Sequence, residues 1–139
     1  MKWKVPRLSF VSVLLCASVT VLITTYPLTA EQRALISGRD KFIHAAVFAL
    51  LTACVAWALA GCFKGRIRTL FVTAVVVVIF ASIDEVVQRY VPTRTVDWRD
   101  WVANCLGVAI GLIAYALTAS LIGVMSGKAG SDLGSSTDE

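Results

Sequence analysis

Four long apolar stretches separated by short polar segments dominate this sequence of 139 residues. They cover residues 8–28, 42–62, 67–83 and 101–125. A helix of about 20 apolar residues is about 30 Å long, which matches the hydrocarbon core of a bilayer. Only 16% of the residues are charged, whereas about a quarter are charged in a soluble domain. The sequence therefore predicts an all-α fold, an integral membrane bundle of about four transmembrane helices.

Two of these stretches allow a second interpretation. Residues 75–78 are four valines, which in water would favour a strand, but a lone strand in lipid leaves its backbone groups unpaired. We therefore predict a helix there. Residues 8–28 follow three basic residues, as in a cleaved signal peptide, but the uncharged run exceeds a usual signal core. Cleavage after Ala30 would also place Leu28 where a small residue is needed, so we predict an uncleaved anchor.

The basic residues predict the topology. Three precede the first stretch and three lie near the loop between the second and third, with no acidic residue in either segment. Because Lys and Arg mark the cytoplasmic side, we predict a multi-pass protein of the cell membrane with both termini in the cytoplasm. Residues 29–41 and 84–100 would then face outward.

The same composition limits the domains and partners. Residues 1–125 form one predicted transmembrane domain, and the Gly/Ser-rich acidic residues 126–139 form a predicted disordered tail. The basic residues form no stripe on a polar surface, so the partners predicted are membrane lipid and no nucleic acid. The oligomeric state is left open.

An up-and-down bundle brings three polar segments, residues 40–44, 84–89 and 97–104, to the same membrane face. Helical spacing places on shared faces the pairs Asp40 with His44, Asp84 with Gln88, and Glu85 with Arg89, and the stripe Asp97, Asp100 and Asn104. Gly107 and Gly111 continue this stripe at the spacing that lets another helix approach closely. We therefore predict a polar cluster at one end of the bundle.

The three segments also resemble the motifs of the VanZ-like family. They are D-K-x-x-H at residues 40–44, D-E-x-x-Q at residues 84–88 and D-x-x-x-N-x-x-G at residues 100–107, with Phe48 after the histidine. The resemblance covers residues 40 to about 117 and implies a compact multi-helix membrane protein. The family is named for a member associated with resistance to the glycopeptide teicoplanin, and the resemblance alone does not carry that role to this chain.

Carboxylates, amides and an imidazole at a membrane interface suit acid–base chemistry on an amphiphile head group. The predicted ligand is a lipid-linked or cell-envelope glycan, or a related glycopeptide. The candidate catalytic residues are Asp84 or Glu85, as general base or metal ligand, and His44, as proton-transfer partner. The candidate substrate-binding residues are Asp40, Lys41, Gln88, Arg89, Asp100 and Asn104, with Arg94 and Arg99 as further basic residues for a phosphate or sugar. A carboxylate-bound Mg²⁺ suits the residue types, but no ligand spacing demands it, so no metal or cofactor is predicted.

The alternative is a non-catalytic accessory or scaffold protein in which the same residues join the helices. Gln88 and Asn104 would then form interhelical hydrogen bonds, and Glu85 and Arg89 an ion pair. A transporter is less favoured, because the chain has few helices and no repeat. The four cysteines form no CxxC pair and are interpreted as structural. An accessible concavity at the polar cluster would favour ligand binding, whereas fully paired side chains would favour the scaffold.

Overall fold

The polypeptide is described here by a computed structural model covering residues 7–27, 29, 31, 35, 39–91 and 97–134, with side chains described between residues 10 and 123 of those ranges. Four helices make up the described part: α1 Arg7–Thr25, α2 Asp40–Ala60, α3 Arg66–Gln88 and α4 Trp98–Gly134. The four valines lie within α3. The predicted all-α fold is therefore confirmed.

Among the described residues, three helices are long and apolar enough to cross a membrane. They are α2, α3 and the Trp98–Gly123 portion of α4. The apolar part of α1, Phe10–Thr25, is shorter, about 24 Å at the rise of a helix, and Pro27 follows shortly after its end. Three of the predicted transmembrane helices are thus supported by length and composition. The fourth, α1, stays a prediction.

The predicted domain boundary at residue 125 stays a prediction. α4 is described as far as Gly134. Residues 135–139 lie outside the described residues, and disorder of the tail stays a prediction.

The large apolar side chains point away from the bundle. On α4, the outer face is a stripe of more than half-exposed residues: Leu106, Ile110, Ile113, Leu117 and Leu121. The opposite face is buried and carries mostly small or polar residues: Ala103, Asn104, Gly107, Val108, Gly111 and Tyr115. Soluble helices show the reverse distribution. α4 therefore presents an apolar face suited to lipid and a close-packed face to its neighbours.

Threonines fill much of the interior beside the apolar core. Thr20, Thr52 and Thr69 are almost completely buried, and each hydroxyl donates to the carbonyl oxygen four residues earlier in its own helix. Their polar atoms are satisfied without a partner on another helix. The surrounding apolar cluster is centred on Phe48 of α2 and Val77 of α3.

The closest helix contact joins α2 to α4, which share the most extensive interface in the bundle. A β-carbon on Gly107 would overlap the carbonyl oxygen of Ala45, and one on Gly111 would overlap that of Ala49. The two backbones are in direct contact at these glycines. The close approach expected from the Gly107–Gly111 spacing is confirmed.

We expect Gly111→Ala to destabilise the bundle by about 1–3 kcal/mol, because the added methyl group meets backbone that moves only if the helices separate. Denaturation of the detergent-solubilised protein, followed by circular dichroism, measures the change. Gly123→Ala is the matched control, since nothing lies within 4 Å of a β-carbon there. Equal stability of the two variants would contradict this account of the interface.

Candidate functional site

Three helix ends meet at one end of the bundle. The first turns of α2 contribute Asp40, Lys41 and His44, the last turns of α3 contribute Asp84, Glu85 and Gln88, and the first turns of α4 contribute Asp100 and Asn104. Six of these side chains are buried: His44, Asp84, Glu85, Gln88, Asp100 and Asn104. We call all eight residues together the polar end. Burial of so many polar groups is costly unless partners or ligands satisfy them.

His44 and Asn104 join α2 to α4. The imidazole Nδ1 lies 3.0 Å from Asn104 Oδ1, and because an amide oxygen only accepts, Nδ1 is the donor. In the neutral ring Nε2 then carries the lone pair, and within the described residues it is buried with no hydrogen-bond partner. Asn104 Nδ2 is likewise buried without a partner. This pair fixes the ring and leaves one nitrogen available for chemistry or ligation.

Asp84 is held by two hydrogen bonds. Its Oδ1 lies 2.9 Å from the Thr24 hydroxyl of α1, which shares its one proton between this oxygen and the Thr20 carbonyl oxygen, also at 2.9 Å. Its Oδ2 accepts from Gln88 Nε2, one turn later, at 2.9 Å. Of the predicted catalytic residues, Asp84 is therefore the one whose two oxygens both accept hydrogen bonds. Thr24 was not among the candidates from sequence, because a threonine near a helix end carries no signal of its contact with another helix.

Lys41 bridges two carboxylates, Asp97 immediately before α4 and Asp100 in the first turn of α4. Its Nζ lies 3.4 Å from Asp97 Oδ2 and 3.5 Å from Asp100 Oδ1. Asp97 also caps α4, since its Oδ1 accepts from the backbone N–H of Arg99 at 2.9 Å. That backbone hydrogen bond, and then the Lys41 ammonium, lower the pKa of Asp97 below its usual value. Asp97 is therefore a structural carboxylate at the entrance to the polar end.

Glu85 has a different environment from Asp84, although the two are adjacent. It is 7% exposed, and within the described part of the chain neither carboxylate oxygen accepts a hydrogen bond. Asp100 and His44 lie near enough to interact with it electrostatically. Arg89 also does so at longer range, but it is exposed and makes no hydrogen bond to Glu85. The close ion pair considered from the sequence is not formed.

A cleft of about 610 Å³ opens beside Glu85, between the end of α3 and the start of α4. The lining residues are Ser82, Glu85, Val86, Arg89, Trp98, Trp101 and Val102. The Trp101 indole N–H donates to the Ser82 hydroxyl at 3.2 Å and so ties the two helices together. A largely apolar cleft with a few charged groups is the usual form of a small-ligand site.

The predicted site residues thus fall into two groups. Asp84 and Gln88 bond to each other within the bundle, whereas His44, Glu85, Asp100 and Asn104 each keep a buried polar atom without a hydrogen-bond partner. One donor atom from each of Asp40, His44 and Asp100 also lies within 4.8 Å of the others. Arg94 lies outside the described residues, and Arg99 is exposed beside the Trp98 ring. The polar end therefore contains both hydrogen-bonded side chains that join helices and individual buried polar atoms that have no hydrogen-bond partner within the described residues.

We expect Thr24→Val to destabilise the protein by about 1–3 kcal/mol, because it leaves a buried carboxylate oxygen of Asp84 without its donor. Thr25→Val is the matched control on the next residue, where the hydroxyl bonds only the carbonyl of Val21 in its own helix. Thermal denaturation in the same detergent compares them. A Thr25→Val variant that loses as much stability as Thr24→Val would show that the Asp84 contact contributes nothing.

Comparison with known proteins adds one relationship. The family model described as VanZ/LLP1 matches residues 5–119, which contain α2, α3, the polar end and the cleft. No curated protein and no solved structure matches the chain. The matched region is well over half of the sequence and includes the three polar motifs on which the resemblance was based. The chain is a membrane protein that belongs to the VanZ/LLP1 family.

Proposed function

We propose that this protein binds, and acts on, the head group of a lipid-linked or cell-envelope glycan, or of a related glycopeptide, at its polar end. One observation carries the proposal. Within the described residues, His44, Glu85 and Asn104 keep buried polar atoms without hydrogen-bond partners, and Glu85 lines the adjoining cleft. Buried polar groups without partners are few in folded proteins and concentrate at functional sites.

The cleft suits a ligand that is part apolar and part polar. Val86, Val102 and the two tryptophans offer apolar contact surface, and Arg89 offers a cation for a phosphate or acidic sugar. The opening lies at a helix end, where an amphiphile in the bilayer would present its head group. The basic residues near the amino terminus favour an extracytoplasmic position for this end in the plasma membrane.

Glu85 is a stronger candidate for the general base than Asp84. Both oxygens of Asp84 already accept hydrogen bonds, so its role in the proposal is to position α1 against α3. Glu85 has no such bonds and lines the cleft. His44 then serves as proton-transfer partner through Nε2, because Asn104 occupies Nδ1.

A second candidate is a non-catalytic accessory or scaffold protein of the membrane. The observation that favours it is the complete pairing of the two Asp84 oxygens with Thr24 and Gln88. In that case the polar end recognises a head group or another protein without transforming it.

The test is the profile of envelope lipids and glycans, measured by mass spectrometry in cells that lack the gene and carry wild type, Glu85→Gln or Asp97→Asn. We expect wild type and Asp97→Asn to convert at least one lipid-linked or glycan species. Glu85→Gln should reduce that conversion about 100-fold or more, the scale of general base catalysis. Asp97→Asn is the matched control, because Asn also caps a helix.

Membrane levels of each variant are equalised by immunoblotting before comparison. If Glu85→Gln restores the same species as wild type does, Glu85 is not a catalytic residue, and the accessory role is favoured. An unchanged profile in all strains would contradict an action on envelope lipids or glycans.

A further inference from the structure

Three potential metal ligands meet between α2 and α4. Asp40 and His44 are one turn apart at the start of α2, and Asp100 lies in the first turn of α4. One donor atom from each lies within 4.8 Å of the other two. Donors of a tetrahedral zinc site are roughly 3.3 Å apart, given metal–ligand bonds of about 2.0–2.1 Å. The 4.8 Å separation holds for one of the two His44 ring nitrogens, so metal binding requires the three donors to move closer together.

The histidine is already held as a metal ligand would be. Its Nδ1 donates to Asn104 Oδ1 at 3.0 Å, which leaves the lone pair on Nε2. That nitrogen is buried and has no hydrogen-bond partner, and His44 as a whole is 1% exposed. Histidines that bind metals typically donate their second nitrogen to an oxygen in this way. The orientation of the ring is therefore fixed without any contribution from a ligand.

The negative charge at this place is only partly compensated. Asp100 Oδ1 is buried and makes no hydrogen bond, and the ammonium 3.5 Å away belongs to Lys41, whose side chain is 46% exposed. The buried Glu85 carboxylate lies near enough to Asp100 to repel it. Buried carboxylates that repel each other favour a bound cation or proton.

We propose that Asp40, His44 and Asp100 bind a divalent transition metal ion, Zn²⁺ in the first place. An imidazole with two carboxylates suits Zn²⁺ and, with lower affinity, Mn²⁺, whereas Mg²⁺ and Ca²⁺ take oxygen ligands almost exclusively. Three protein ligands leave a fourth position for water or for a ligand oxygen, as in catalytic zinc sites. Because His44 Nε2 would then be a metal ligand, that water would take the place of the imidazole as proton-transfer partner. Lys41 competes with the metal for Asp100 and keeps its contact with Asp97 when the metal binds.

The inference does not depend on the proposed glycan ligand, because the metal alone is the probe. The full-length protein is purified in detergent with a histidine-free tag, in a Cys62→Ser background that removes the exposed thiol. Metal is stripped with a chelator, and Zn²⁺ binding is measured by equilibrium dialysis with elemental mass spectrometry. We expect one Zn²⁺ per chain. Asp100→Asn and His44→Gln should weaken binding by a factor of ten or more, while Asp97→Asn should bind as wild type does.

Lys41→Gln provides a test in the opposite direction. Removing the competing ammonium should tighten Zn²⁺ binding several-fold, and this variant keeps all three ligands. Asp100→Asn and His44→Gln are checked for folding by circular dichroism and size-exclusion chromatography. If they fail to fold, the Zn²⁺ affinity of Lys41→Gln still tests the proposal. Folded wild-type protein that binds no Zn²⁺, or affinity unchanged in both Lys41→Gln and Asp100→Asn, would overturn the proposal.

Discussion

The contact between the α2 and α4 backbones determines the arrangement of the polar end. Gly107 and Gly111 leave no side-chain volume between the helices, so the carbonyls of Ala45 and Ala49 lie directly against α4. This contact fixes both the distance and the rotation of the two helices. One and two turns nearer the membrane surface, the same register places Asn104 on His44 and Asp100 beside Lys41. The geometry of the site therefore depends on two residues that take no part in any chemistry.

The other two helices are joined through one carboxylate. Asp84 of α3 accepts from Thr24 of α1 and from Gln88 of its own helix, and its neighbour Glu85 is thereby directed to the side of the cleft. Adjacent acidic residues on a helix differ by about 100° in direction. Asp84 can thus join α3 to α1, while Glu85 faces Asp100 and the opening of the cleft. This difference in direction explains how Asp84, which is hydrogen-bonded, and Glu85, whose oxygens accept no hydrogen bond within the described residues, lie next to each other on α3.

Much of this arrangement follows from the sequence, because helical periodicity and the length of an apolar segment are local properties of the chain. The three polar segments, the position of Asn104 on the same stripe as Gly107, and the close helix approach at that stripe could all be predicted. The relative rotation of α1 and α3 could not, since it depends on packing between segments distant in the chain. For that reason the Thr24 contact, the cleft at Trp101 and the difference between Asp84 and Glu85 became visible only in three dimensions. The same limitation left the distances among Asp40, His44 and Asp100 undetermined, although the sequence placed all three at one end of the bundle.

The interior threonines have a mechanical consequence. Because Thr20, Thr52 and Thr69 bond within their own helices, the middle of the bundle is held mainly by van der Waals packing, which resists sliding less than directional bonds do. The interhelical hydrogen bonds of Asp84 and His44 are concentrated at one end. At the far end, Arg66 Nη1 of α3 donates to Ser120 Oγ of α4 at 2.7 Å. We therefore expect a thinner or thicker bilayer to change the spacing of the far ends more than that of the polar end, with α3 and α4 moving together.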